Sequence, residues 1–267
     1  MSEPRAPEAI HTAIWAEEAM PDSPLVARAA WCHGYDVFGG LVGRIRWSDM
    51  VFLLFRGEAP SPEQSDLLEA LAVALANAGP RDPAVHAAMS GGVGGSPSAS
   101  CLMAALAVGA GASSGAREVM LAQQAWAKCG RDLDAWRALL ATTPPADASS
   151  AWPSPSHPAG FDPHGGRTCL PVQQTLAVLA SIQPEGWLAW LATHRTVLEA
   201  AVQLPLSLTG VAAAAYLDLG LTPEQGEMLH LLLRLPGAAV HALEQRARGY
   251  KTFPFGNITV EPEEGVA

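Results

Sequence analysis

Ser61-Pro62-Glu63-Gln64, followed by Leu67, Leu68, Leu71 and Leu75 and closed by Gly79-Pro80, reads as one complete helix. Serine is a preferred N-cap, proline fits the first turn, and glutamine three residues on completes a capping box. The leucines recur at helical spacing, and glycine then proline end the run. Thr222-Pro223-Glu224-Gln225 repeats the start signal, with Met228, Leu229, Leu232 and Leu233 behind it. Ser48 opens a short apolar helix that ends at Gly57. Further helices are predicted near 98–110, 115–128, 132–141, 170–181, 187–203 and 209–219. An alternating strand pattern is expected only in the tail, Thr252 to Val260. The expected fold class is all-α.

A chain of 267 residues with 49% hydrophobic content can bury a sizeable core. Net charge is −10, and the 16 basic residues include only two lysines, Lys128 and Lys251. That balance excludes a nucleic-acid surface, which needs a basic stripe. Single arginines can still clamp one small anionic ligand. Cys32, Cys101, Cys129 and Cys169 are scattered and form no Cys-x-x-Cys pair, so no metal site is expected and a reducing cytoplasm fits. The N-terminus lacks a basic stretch followed by an apolar one, so no signal peptide is read there. The most apolar segment, Ala99 to Ala112, is too short to cross a bilayer.

The chemistry concentrates in Ser156-His157-Pro158, then Gly160-Phe161-Asp162-Pro163 and Arg167. A histidine held between prolines and glycines is presented to something. The stretch Thr142 to Pro158, rich in Pro, Ser and Ala, reads as a long loop leading into His157. Arg234 lies among Leu231, Leu232, Leu233 and Leu235. A charge in such a stripe needs a partner, and a bound anion is expected over an internal salt bridge. Asp36 and Asp218 read as structural caps or ion pairs, and His241 as a packing residue.

Four blocks, in family order, make the chain resemble the citrate synthase superfamily, nearest its short citryl-CoA lyase members. The first is Gly34-Tyr35-Asp36-Val37 with Leu53-Leu54-Phe55-Arg56-Gly57-Glu58-Ala59-Pro60. The second is Gly109 to Val119, and the third is the His157 loop. The fourth runs from Ser207-Leu208-Thr209-Gly210 to Arg234, Gly237, His241, Glu244 and Gln245. The resemblance implies a two-lobed helical fold. A discontinuous large domain would take 1–112 and 206–267, and a small domain 113–205. It also implies a homodimer, paired through the small-residue helix near 99–112.

What the resemblance implies for chemistry is a coenzyme A thioester as substrate, a di- or tricarboxylic (oxo-)acid as second ligand, and no tightly bound cofactor. His157 would polarise the oxo-acid carbonyl. Arg234 would clamp a carboxylate, with Arg167 or His164 as a further substrate contact. The position of the enolate-stabilising histidine falls at Ser113 or Ser114, that of the general-base aspartate at Thr209, and that of another substrate histidine at Ala78. A threonine hydroxyl is no base without a basic partner. Losing acid–base catalysis costs ~10²–10⁴-fold, and losing an oxyanion donor ~10²–10³-fold. Two function classes follow: an acyltransferase or citryl-CoA lyase with a degenerate or rearranged acid–base set, or an inactive homologue that binds ligand or scaffolds a partner. A heteromer whose second subunit supplies the missing groups is a third.

Overall fold

The computed structural model describes residues 11–141 and 157–254. Ten α-helices carry the described chain: α1 (Trp47–Arg56), α2 (Pro62–Leu75), α3 (Pro83–Val93), α4 (Ser98–Gly109), α5 (Ala116–Cys129), α6 (Leu133–Leu140), α7 (Leu170–Ile182), α8 (Trp187–Val202), α9 (Leu208–Asp218) and α10 (Pro223–Arg248). Both expected capping boxes form. Ser61 Oγ accepts from the Gln64 N–H at 3.2 Å while Gln64 Oε1 accepts from the Ser61 N–H at 2.9 Å. Thr222 and Gln225 repeat this at 3.3 and 2.9 Å.

Two features escape the sequence pattern. A three-stranded antiparallel sheet, β1 (Trp15–Met20), β2 (Ser23–Cys32) and β3 (Tyr35–Asp36), precedes the helices. Most residues of β1 and β2 are exposed on both faces until Ala30 and Cys32, so no buried face imposes alternation. The second is α3. Its N-cap Asp82 accepts from the Ala84 and Val85 N–H groups at 3.0 and 3.2 Å, with Pro83 in the first turn. The helix interior, with Gly91 and Gly92 near its end, gives a weak apolar period and hid that start signal. The tail strand expected at Thr252 to Val260 falls mostly outside the described residues, and Tyr250–Thr252 forms a short 3₁₀ turn.

The larger core gathers residues from α1 and α2, from α5 to α9 and from α10. A smaller one joins Val85, Ala88 and Met89 of α3 to Cys101 and Ala105 of α4 and Ala238 and Ala242 of α10. α9 is the central helix: every residue from Thr209 to Tyr216 is buried. Its Ala212–Ala215 run lets neighbouring helices approach closely, and a helix apolar all round belongs inside. At the far end of α5, Trp126 meets Trp136, Trp190 and Trp187 with ring centroids 4.9, 5.4 and 5.5 Å apart. That aromatic anchor holds the helix whose first turn carries Glu118.

The loop after His157 docks on the start of α9. The Asp162 N–H donates to Pro205 C=O at 2.8 Å, and the Ser207 N–H to Gly160 C=O at 3.0 Å. Gly160 has φ +90°, and its position faces Gly210 at backbone distance. A Cβ added at Gly210 would lie 2.5 Å from the Gly160 oxygen. Gly210→Ala is therefore expected to lose about 1–3 kcal/mol through overpacking. Urea denaturation checks this, and a neutral result would show that the loop can back away freely.

Candidate functional site

α5 begins one residue after a tight turn. Ser114 sits there with φ +58°, a left-handed conformation uncommon for a residue with a side chain. Its N–H donates to the Glu118 carboxylate, and its C=O accepts from Arg234 Nη1 at 3.2 Å. Strain of this kind, held by surrounding bonds, concentrates at functional positions.

Glu118 is 1% exposed, yet it is an acid. A buried carboxylate needs donors, and three converge on it. The Ser114 N–H reaches Oε2. The Gly160 N–H reaches Oε1 at 3.0 Å, and the Thr209 hydroxyl reaches the same oxygen at 2.8 Å. The buried His157 ring brings Nε2 to 3.8 Å from Oε1, close enough for charge attraction when protonated but too long for a hydrogen bond. Behind Thr209, Ser207 Oγ lies 2.6 Å from Thr209 Oγ1. Ser207 also caps α9 by accepting from the Gly210 N–H at 3.4 Å.

Arg234 approaches the same turn from α10. Its Nη2 is paired with Asp82, and both side chains are mostly buried. The partner within the chain is thus the N-cap residue of α3, where a bound anion was expected. Arg234 also shapes its own helix. Tyr216 OH and His230 Nδ1 meet at 3.3 Å, both fully enclosed. Burial, reinforced by the Arg234 charge, pushes the His230 pKa down to about 3, and burial pushes the Tyr216 phenol up.

A second carboxylate supports the region from α8. Glu199 pairs with Arg195 at 2.9 Å, accepts from the Thr168 hydroxyl, and accepts from the Leu206 N–H at 3.1 Å. This fixes the 205–207 segment beside the His157 loop. Asp218 caps α8, accepting from the Trp187 and Leu188 N–H groups at 2.6 and 3.0 Å.

Four of the expected site residues, or their near neighbours, therefore meet. His157, Thr209 and Ser114 all contact Glu118, and Arg234 joins through Ser114 C=O and Asp82. Ser113, the other half of the Ser113/Ser114 pair, is exposed with no side-chain hydrogen bond among the described residues. Arg167 and His164 are exposed beyond Asp162, which accepts from the His164 N–H at 2.9 Å. Their side chains have no bond to the cluster among the described residues. The residue that sequence reasoning missed is Glu118. It stands within the quoted Gly109 to Val119 block, but an acid in a first helical turn reads as a solvated, dipole-compensating residue. Only the fold shows that its side is the buried one.

Neither a protein-family model nor a curated protein sequence matches the chain. Solved structures do. Citryl-CoA lyase from Hydrogenobacter thermophilus superposes with a TM-score of 0.70 at 17% identity, over 97% of this chain and 98% of that one. The chain has the citrate synthase-like fold. ATP citrate lyase from Methanothrix soehngenii, in complex with citrate and coenzyme A, gives a TM-score of 0.73 at 16% identity. A variant of Methanosaeta concilii ATP citrate lyase in complex with (3S)-citryl-CoA gives 0.73 at 15%. This chain spans 43% of each of those two longer chains, and 97% of itself is covered. At such identities the likeness establishes architecture, and the chemistry must be argued from this chain's own residues.

Two outcomes check the electrostatics. Asp82→Ala removes both the α3 cap and the Arg234 counter-charge. It should cost more than the ~1 kcal/mol of an N-cap alone, with Asp82→Asn in between, by urea denaturation. His230 stays neutral in the native state, whereas the unfolded side chain titrates near 6.5. Below that pH the unfolded state binds the extra proton, so stability falls as pH drops from about 6.5 toward 3. Comparing unfolding midpoints at several pH values should show a flatter slope for His230→Gln than for the wild type. Equal slopes would place the acid sensitivity elsewhere.

Proposed function

We propose that this chain binds a coenzyme A thioester together with a di- or tricarboxylic acid. It would make or break the carbon–carbon bond at the thioester α-carbon slowly, with a rearranged acid–base set. The observation that supports the reading is the convergence on Glu118 of donors from the α4–α5 turn and from two distant segments, the His157 loop and the start of α9. Under the proposed domain division, Glu118 and His157 belong to the small domain 113–205. Ser207, Thr209 and Arg234 belong to the large one, 1–112 with 206–267. The ligands would then sit where the two lobes meet.

In this reading His157 polarises the carbonyl of the acid, and Ser113 offers a hydroxyl to the enolate oxygen. Arg167 and His164 are the exposed groups that could reach ligand carboxylates, while Arg234 orients the Ser114 turn and exchanges Asp82 for a carboxylate only at a cost. Slow turnover follows from the same geometry. No carboxylate stands directly at the position of Thr209, and no histidine stands at Ser113 or Ser114. The Arg234–Asp82 pair favours a second reading, an inactive homologue that acts as a ligand-binding or scaffold subunit, since a satisfied arginine recruits anions poorly.

A homodimer in the cytoplasm belongs to the same proposal. Met103 and Val108 of α4 and Met228, Leu232, Val240 and Leu243 of α10 are exposed apolar side chains on neighbouring helices. The four cysteines are free, and three are buried. No helix among the described residues is long and apolar enough to cross a membrane. Light scattering at micromolar concentration should give twice the chain mass; a monomer would remove the dimer.

Thermal unfolding with coenzyme A, acetyl-CoA, oxaloacetate and citrate tests binding. A rise in midpoint that grows with ligand concentration is expected. A coupled thiol-release assay tests turnover, with a slow wild-type rate that His157→Ala lowers further. No stabilisation by any of these ligands would end the ligand-binding reading. Rapid citrate formation indifferent to His157→Ala would move the chemistry elsewhere.

A further inference from the structure

We infer that Ser207, Thr209 and Glu118 form a proton relay, with Glu118 as the base and Ser207 as its substrate-facing end. The inference deepens the proposed thioester chemistry and rests on that reading. A threonine hydroxyl alone cannot take a proton from carbon. Here it has a carboxylate 2.8 Å away.

The direction of the chain follows from counting protons. A carboxylate only accepts, so Thr209 gives its single hydroxyl proton to Glu118 Oε1. Thr209 Oγ1 is then free only to accept, so the 2.6 Å contact to Ser207 is donated by Ser207. Ser207 Oγ in turn accepts weakly from the Gly210 N–H at 3.4 Å and keeps acceptor capacity in hand. Burial supports the same order. Glu118 is 1% and Thr209 6% exposed, whereas Ser207 is only partly buried. A ligand approaching the loop and α9 would meet Ser207 before either of the others.

The step balances. The substrate Cα–H bond breaks, and its proton passes to Ser207 Oγ. The Ser207 proton moves to Thr209 Oγ1, and the Thr209 proton to Glu118 Oε1, leaving a neutral carboxylic acid. The electron pair left on carbon delocalises onto the thioester oxygen as an enolate. The reverse sequence returns the proton. Glu118 keeps the Ser114 and Gly160 N–H donors on its carboxylate while the proton arrives. Two intervening hydroxyls must also move together. That concerted movement keeps the rate low.

The test follows loss of the acetyl-CoA methyl protons in D₂O by NMR, with L-malate present to fill the acid site. Acetyl-CoA affinity is measured in parallel by calorimetry. Wild type should bind acetyl-CoA and exchange above the protein-free rate. Thr209→Val should keep affinity within about twofold and lose exchange at least tenfold. Thr209→Ser, which restores the hydroxyl, should recover it. Ser207→Ala, at a partly exposed position, should give the same loss if Thr209→Val fails to fold. Wild type that binds acetyl-CoA but exchanges only at the background rate would overturn the relay and leave the binding proposal standing. So would Thr209→Val or Ser207→Ala variants that exchange like wild type. Absence of acetyl-CoA binding would remove the binding proposal, and the relay with it.

Discussion

The structure around the candidate site depends on one buried charge, the carboxylate of Glu118. It sits in the first turn of α5 with almost no solvent contact. An unpaired carboxylate there would cost several kcal/mol, so the fold must deliver donors to it. It does so from three directions: the left-handed Ser114 turn, the Gly160 amide and the Thr209 hydroxyl. None of these donors is near another in sequence, and none is free to leave without stranding the charge. The His157 loop, the start of α9 and the α4–α5 turn are therefore held in register by electrostatics, as much as by apolar packing.

The same constraint bears on the proposed chemistry. By the sequence resemblance, Thr209 falls where the family has its general-base aspartate, and read alone that exchange removes the base. In the fold, the Thr209 hydroxyl donates to a carboxylate on α5, Glu118, at 2.8 Å. That carboxylate is almost fully enclosed. Arg234 shows a parallel shift. Its charge is met by Asp82, so α3, α10 and the Ser114 turn are tied together before any ligand arrives. In both places a polar side chain is satisfied within the chain. That pattern fits the proposed slow enzyme or binder.

Much of the helical architecture was legible because its signals are local. Ser61 and Thr222 cap their helices through contacts within four residues, so sequence alone places those starts. α3 was missed although Asp82-Pro83 is the same kind of signal, since the helix behind it has no clear apolar stripe. The β1–β2 hairpin was missed because both of its faces meet solvent, and alternation appears only where one face is buried. His157 and Arg234 stood out by residue type and neighbours, and Thr209 entered through the family resemblance. Glu118 and Ser207 did not. Nothing local distinguishes a buried first-turn glutamate from a solvated one, or a capping serine from a relay. Both depend on which side of α5 the loop and α9 cover, which is a tertiary fact.

Glu118 as the common anchor is tested most directly by amide hydrogen exchange at Ser114 and Gly160 in Glu118→Gln against wild type. The amide side chain keeps the shape but has one accepting oxygen in place of two. Exchange should accelerate at one or both of these amides, although they lie 46 residues apart in sequence, while the α2 core amides stay protected. Unchanged protection at both Ser114 and Gly160 would show that packing alone positions the loop and the turn, and the account built on this carboxylate would fail.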